Sequence, residues 1–105
     1  MMLRDLAHVR TGDKGNISQI SVIAYRPGDF PLLAREVTVE RVVAALRGLR
    51  IAAARRYELA DLGALNFVLE GALGGGVTRS LALDAHGKTL GAQILAIEID
   101  AERGR

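Results

Sequence analysis

The chain has 105 residues with neither Cys nor Trp, enough for one domain with its own core and without disulfides, thiolate metal sites or Cys nucleophiles. Fourteen basic residues against twelve acidic ones leave a net charge of +2, and aromatics are 4%. That is too balanced, and too poor in stacking platforms, for a dedicated nucleic-acid binder.

Half the residues are apolar and a quarter charged, the balance of a globular chain. No apolar run reaches the roughly 18 residues of a membrane span. The opening MMLRDLAHVR lacks the apolar stretch of a secretory signal, so a cytoplasmic protein is the expectation. In chain order, Arg4–Arg10 reads as a short strand. Thr11-Gly12-Asp13-Lys14-Gly15-Asn16 reads as a turn whose two glycines are free to take positive φ. Ile17–Tyr25 is rich in β-branched residues and stops at Arg26-Pro27-Gly28-Asp29.

Asp29 and Thr38 can each cap a helix, and Pro31 sits in the first turn after Asp29, where its missing N–H costs nothing. From Thr38, the residues Val39, Val42, Val43, Leu46 and Leu49 form one apolar stripe that Gly48 ends. Ile51–Leu59 reads as a strand exposed on one side or at an edge. Asp61 is placed to cap a second helix, with Leu62, Leu65, Leu69, Ala72 and Leu73 on one stripe and Gly74-Gly75-Gly76 as its stop. Val77–Ala85 and Thr89–Ile99 are then strands of a hairpin turning at His86-Gly87-Lys88. The order β-β-α-β-α-β-β, with two helices on one face of a mainly antiparallel sheet, makes an α+β two-layer sandwich of ferredoxin-like type.

The segment Thr11–Asn16 is the most conspicuous polar feature. Lys14 offers a cation, Asp13 a carboxylate, and Gly12 and Gly15 let backbone N–H groups form an anion-binding nest for a carboxylate or phosphate. The plainer reading is a hairpin tip whose Asp13 bonds its own turn. His8, just before it, is a candidate general acid or base, or a structural strand histidine. His86 in its turn reads as inert. Asn66 falls beside the apolar stripe of the second expected helix, where an amide needs partners. Glu70 follows at i+4, within reach on a helix. Asn66 therefore bonds a neighbouring strand or loop, or contacts a ligand. Gly71–Thr78 has the glycine spacing of a phosphate loop, but Val77 stands where lysine is required, and a helix C-terminus is the wrong place for an anion. Arg79 after it can still attract an anion. Arg47, Arg50, Arg55 and Arg56 form a basic cluster that reads as a solvated face. The two histidines, far apart in sequence and with no Cys or ligand spacing between them, give only a weak metal signal, and no cofactor is implied.

Three stretches together carry a family likeness: Leu6–Asn16, Tyr57–Leu69, and Gly71–Ser80 with Leu83–Gly91. Their order and wording resemble the small ferredoxin-fold domain at the C-terminus of the acyclic terpene utilization AtuA family, over about residues 3–99. The resemblance implies a link to catabolism of acyl-CoA-linked terpenoid or branched-chain acids. The matching polar positions are His8, Arg10, Thr11, Asp13, Lys14, Asn16, Asn66, Thr78, Arg79 and His86. No established catalytic assignment comes with them. Relatives are described as a large domain followed by this one, whereas here the small domain stands alone. A separately encoded large AtuA-like partner is therefore expected, together with self-association, and catalysis by this domain on its own is not. The segment Gly12–Gly15, with Arg10 and Lys14, would face that partner or an acyl-CoA or other anionic substrate; neither nucleic acid nor membrane is an expected partner. The alternative is a component of a CoA-ester lyase or hydratase. In it His8 or Asp13 moves a proton while Lys14 or Arg79 stabilises developing negative charge.

Overall fold

The computed structural model describes residues 1–14, 17–46, 51–71 and 91–100. Four strands make one antiparallel sheet: β1 (Ala7–Lys14), β2 (Ile17–Ala24), β3 (Ala53–Leu59) and β4 (Ala64–Glu70), in the spatial order β1-β2-β4-β3. Between β2 and β3 lie two seven-residue helices, α1 (Phe30–Glu36) and α2 (Val39–Ala45). Residues 91–95 are helical as well. Because β2 and β3 both run antiparallel to β4, which separates them, they run the same way. That is the split β-α-β unit of a ferredoxin-like sheet, with β1 added along the free side of β2.

Alternation explains both central strands. In β2, Ser18, Ile20 and Val22 are buried while Ile17 and Gln19 are exposed. In β4, Leu65, Phe67 and Leu69 are fully buried. The register sets Ile20 opposite Phe67 and Val22 opposite Leu65, so their side chains share one face. Onto that face pack Leu33 and Val37 from α1 and its end, Val42 and Leu46 from α2, and Ile94 and Ile97. Burying Phe67 alone is worth about 2–3 kcal/mol. Helices of seven residues are unstable by themselves, so this shared core holds them. Thr38 caps α2 as expected, its Oγ1 accepting from the Arg41 N–H at 3.2 Å. Asp29 stands at the N-cap of α1, but its side chain makes no cap bond; a 3-10 turn over Pro27–Asp29 leads into the helix instead.

The α+β two-layer class therefore holds, but the element order does not. The stretch expected as a second helix is β4. Only a 3-10 turn, Ala60–Leu62, follows Leu59, and Gly63, at φ 62°, opens the strand. Leu65 and Leu69 are four residues apart, a spacing that fits a helix stripe and a strand face alike; buried Phe67 between them decides for the strand. Leu62, placed on the helix stripe, is 71% exposed. The second correction is at Thr89–Ile99, expected as a strand. Residues 91–95 are helical, and only Glu98 forms a bridge, with Met2. The third is at Thr11–Lys14, which continue β1 rather than forming a turn. Gly12 is not among the described glycines with positive φ. The expected glycine stop at 74–76, the strand 77–85, the turn at 86–88, Leu49 and Gly48 lie outside the described residues.

The N-terminal end lies against the last described residues: Leu3 N–H donates to Ile97 O at 2.8 Å and Ile99 N–H to Met1 O at 2.7 Å. A cleft of ≈ 350 Å³ beside this junction is lined by Met1, Glu36, Arg41, Glu98, Ile99 and Asp100. Glu36 and Arg41 hold the junction. The buried Glu36 Oε1 accepts from Asp100 N at 3.1 Å and from Arg41 Nη1 at 3.3 Å, and Arg41 Nη2 donates to Glu98 O. No helix among the described residues is long and apolar enough to cross a membrane.

Candidate functional site: the open face of the sheet

Among the described residues, the helices cover one face of the sheet, and the other displays the residues that alternate with the core. Register places Arg10 opposite Ser21, Ser21 opposite Asn66, and Asn66 opposite Tyr57. One polar row therefore crosses all four strands. The next row contains His8, Ile23, Ala64 and Leu59. Arg10, Tyr57 and Leu59 are exposed, and His8, Ser21 and Asn66 are half-buried.

His8 lies with its ring against Tyr25, centroids 5.6 Å apart and planes tilted by 31°. Among the described residues, the ring that the imidazole meets is that of Tyr25. Asn66 bonds across strands, its Oδ1 accepting from the Ser21 hydroxyl at 3.3 Å. This agrees with the expectation that its amide reaches a neighbouring strand. The expected meeting with Glu70 fails: four residues along a strand span about 13 Å. Glu70 instead accepts from Arg55 Nη2 at 2.5 Å. That bond, and then the Tyr57 and Glu70 charges, raise the exposed Arg55 guanidinium above its ordinary value, so Arg55 stays cationic at any working pH.

The expected basic cluster is divided between two faces. Arg55 lies on the open face with Glu70. Arg56 lies on the helical face, donating to Ala34 O, Val37 O and Glu58 Oε2. Arg47 and Arg50 lie outside the described residues. Arg10 differs from both, being an exposed guanidinium with no ion pair among the described residues.

Of the other candidates, Thr11 and Gly12 lie in β1, opposite Ile20 and Gln19. Thr11 shares the helical face, its methyl 4.0 Å from where a Cβ on Gly91 would stand. The backbones of Asp13 and Lys14 pair with Ser18 and Ile17. Their side chains, and all of Gly15, Asn16, Thr78, Arg79 and His86, lie outside the described residues. No group of three or more His, Cys, Asp or Glu among the described residues is arranged to hold a metal ion. Sequence reasoning missed Ser21 and Tyr57, which join Arg10 and Asn66 in the row. The signal was available only once 64–70 is read as a strand, because the row exists through pairing.

The family model described as the AtuA ferredoxin-like domain matches residues 1–100. No curated protein and no solved structure matches the chain significantly.

Proposed function

From a chain that belongs to the AtuA ferredoxin-like domain family, we propose a small accessory subunit that docks through its open sheet face onto a larger AtuA-like chain, in the catabolism of acyl-CoA-linked terpenoid or branched-chain acids. The observation behind this reading is the exposure of Tyr57, Leu59 and Tyr25, at 45%, 41% and 61%, together with exposed Arg10, on or beside one sheet face. Aromatic residues and Arg are the types enriched where proteins associate. The side chains of a sheet face offer a macromolecule a broad surface, whereas a small substrate needs a concave pocket. Self-association through a sheet edge belongs to the same reading, β1 and β3 being the edges of the sheet among the described residues.

The test is to co-express the protein with the large AtuA-like chain of the same genome and measure the mass of the complex by light scattering. A single species containing both chains is expected, lost in a Tyr57→Glu, Leu59→Glu double variant that still folds. Two chains that elute separately at tens of micromolar would overturn the proposal.

A further inference from the structure

The open face has a chemical polarity that names its occupant more closely, an inference that rests on the docking role proposed for that face. Its two rows differ in kind. Arg10, Ser21, Asn66 and Tyr57 are all polar, whereas Ile23, Ala64 and Leu59 give the neighbouring row an apolar floor. Ser21 is the small residue of the polar row, flanked by two larger side chains. With strands about 4.8 Å apart, the backbones of Arg10 and Asn66 are separated by about 10 Å, so the two side chains can flank one carboxylate between them.

The bonding within the row fixes its sign. The Ser21 hydroxyl donates to Asn66 Oδ1 at 3.3 Å, which engages the acceptor end of the amide and leaves its two N–H donors to face a ligand. Arg10 has donors only. The other described cation of this face, Arg55, is already held by Glu70. With the Ser21 proton committed to Asn66, the donors left between Arg10 and Asn66 outnumber the acceptor on Ser21 Oγ, and the one unpaired described charge there is positive. A guanidinium beside an amide NH2 matches a planar carboxylate, which accepts two parallel bonds.

We propose that this row receives an Asp or Glu side chain of the larger chain, its carboxylate between Arg10 and Asn66 above Ser21. An apolar neighbour of that acid rests on Ile23, Ala64 and Leu59. A basic group at the same place would meet an unpaired guanidinium and be rejected.

The test is affinity for the larger chain, measured by calorimetry at low and high salt with wild type, Arg10→Lys, Arg10→Glu and Asn66→Ala. Arg10 is exposed and makes no side-chain bond among the described residues, so its variants should keep the wild-type melting temperature. Expected are losses of at least 100-fold for Arg10→Glu and roughly 10-fold for Arg10→Lys and Asn66→Ala. An acid-to-Arg exchange on the larger chain should restore binding to Arg10→Glu alone. Wild-type docking with Arg10→Glu within twofold of it would overturn the carboxylate assignment and leave docking intact. No binding by the wild type would overturn docking and this assignment together.

Discussion

Arg56 Nη1 donates to the carbonyl oxygens of Ala34 and Val37, at 2.7 and 3.0 Å. Those carbonyls belong to the end of α1, where a helix runs out of its own donors and carries partial negative charge. A cation on the edge strand β3 thus closes the helix that precedes it by some twenty residues. Replacing it by Met keeps the stem and removes the donors. Arg56→Met should cost about 2 kcal/mol, within the range of hydrogen bonds to charged groups. Urea unfolding at neutral pH measures this, and an unchanged midpoint would refute it.

The two helix starts should respond differently to the same substitution. Thr38 Oγ1 accepts from Arg41 N, while Asp29 makes no cap bond. Thr38→Ala should therefore cost about 1 kcal/mol, and Asp29→Ala less than about 0.5 kcal/mol. Equal losses in thermal unfolding would contradict this assignment of the caps.

Two glycines in the hairpins should respond with opposite signs. Gly12 sits within edge strand β1, with nothing within 4 Å of where a Cβ would stand. Gly12→Ala should raise stability by about 0.5 kcal/mol through the unfolded chain. At Gly63, φ is 62°, and Ala there should cost about 1–2 kcal/mol. A loss at Gly12 as large as that at Gly63 would restore the turn in place of the strand.

The Glu36 carboxylate is buried between Arg41 and the Asp100 amide. Its removal leaves a partly sheltered guanidinium unpaired. Glu36→Ala should cost about 2–3 kcal/mol, discounted from the 3–5 typical of deeper pairs because Arg41 is a third exposed. Hydrogen exchange should speed up at the Asp100 amide before it does at the centre of β4. Unchanged protection at Asp100 would show that the contact bears no weight.

The parts legible in the sequence were those whose pattern admits one period. Ile17–Tyr25 is rich in β-branched residues and stops at Arg26-Pro27-Gly28, and Thr38 heads a stripe of Val42 and Leu46; both elements start where expected. Leu65 and Leu69 satisfy two periods at once, and a nearby Asp61 invited the wrong one. At 91–99, Ile97 and Ile99 do alternate as buried residues around exposed Glu98, as a strand pattern requires. Leu95 fits the same alternation yet belongs to a helical turn with buried Ile94. The candidate site suffered the same ambiguity. Arg10 and Asn66 were each visible as residues needing partners, but their common row is a product of strand pairing across 56 positions of sequence, which local spacing does not encode.

The bridge between Met2 and Glu98 joins segments synthesised at opposite times. The seam cannot close until Glu98 has been synthesised, and the loop it encloses takes in every strand of the sheet and both α1 and α2. The β1–β2 hairpin is local and assembles early; the corner around Leu3 and Ile97 is a latch that shuts last. Pulse labelling during refolding should find the Leu3 amide gaining protection after that of Val22.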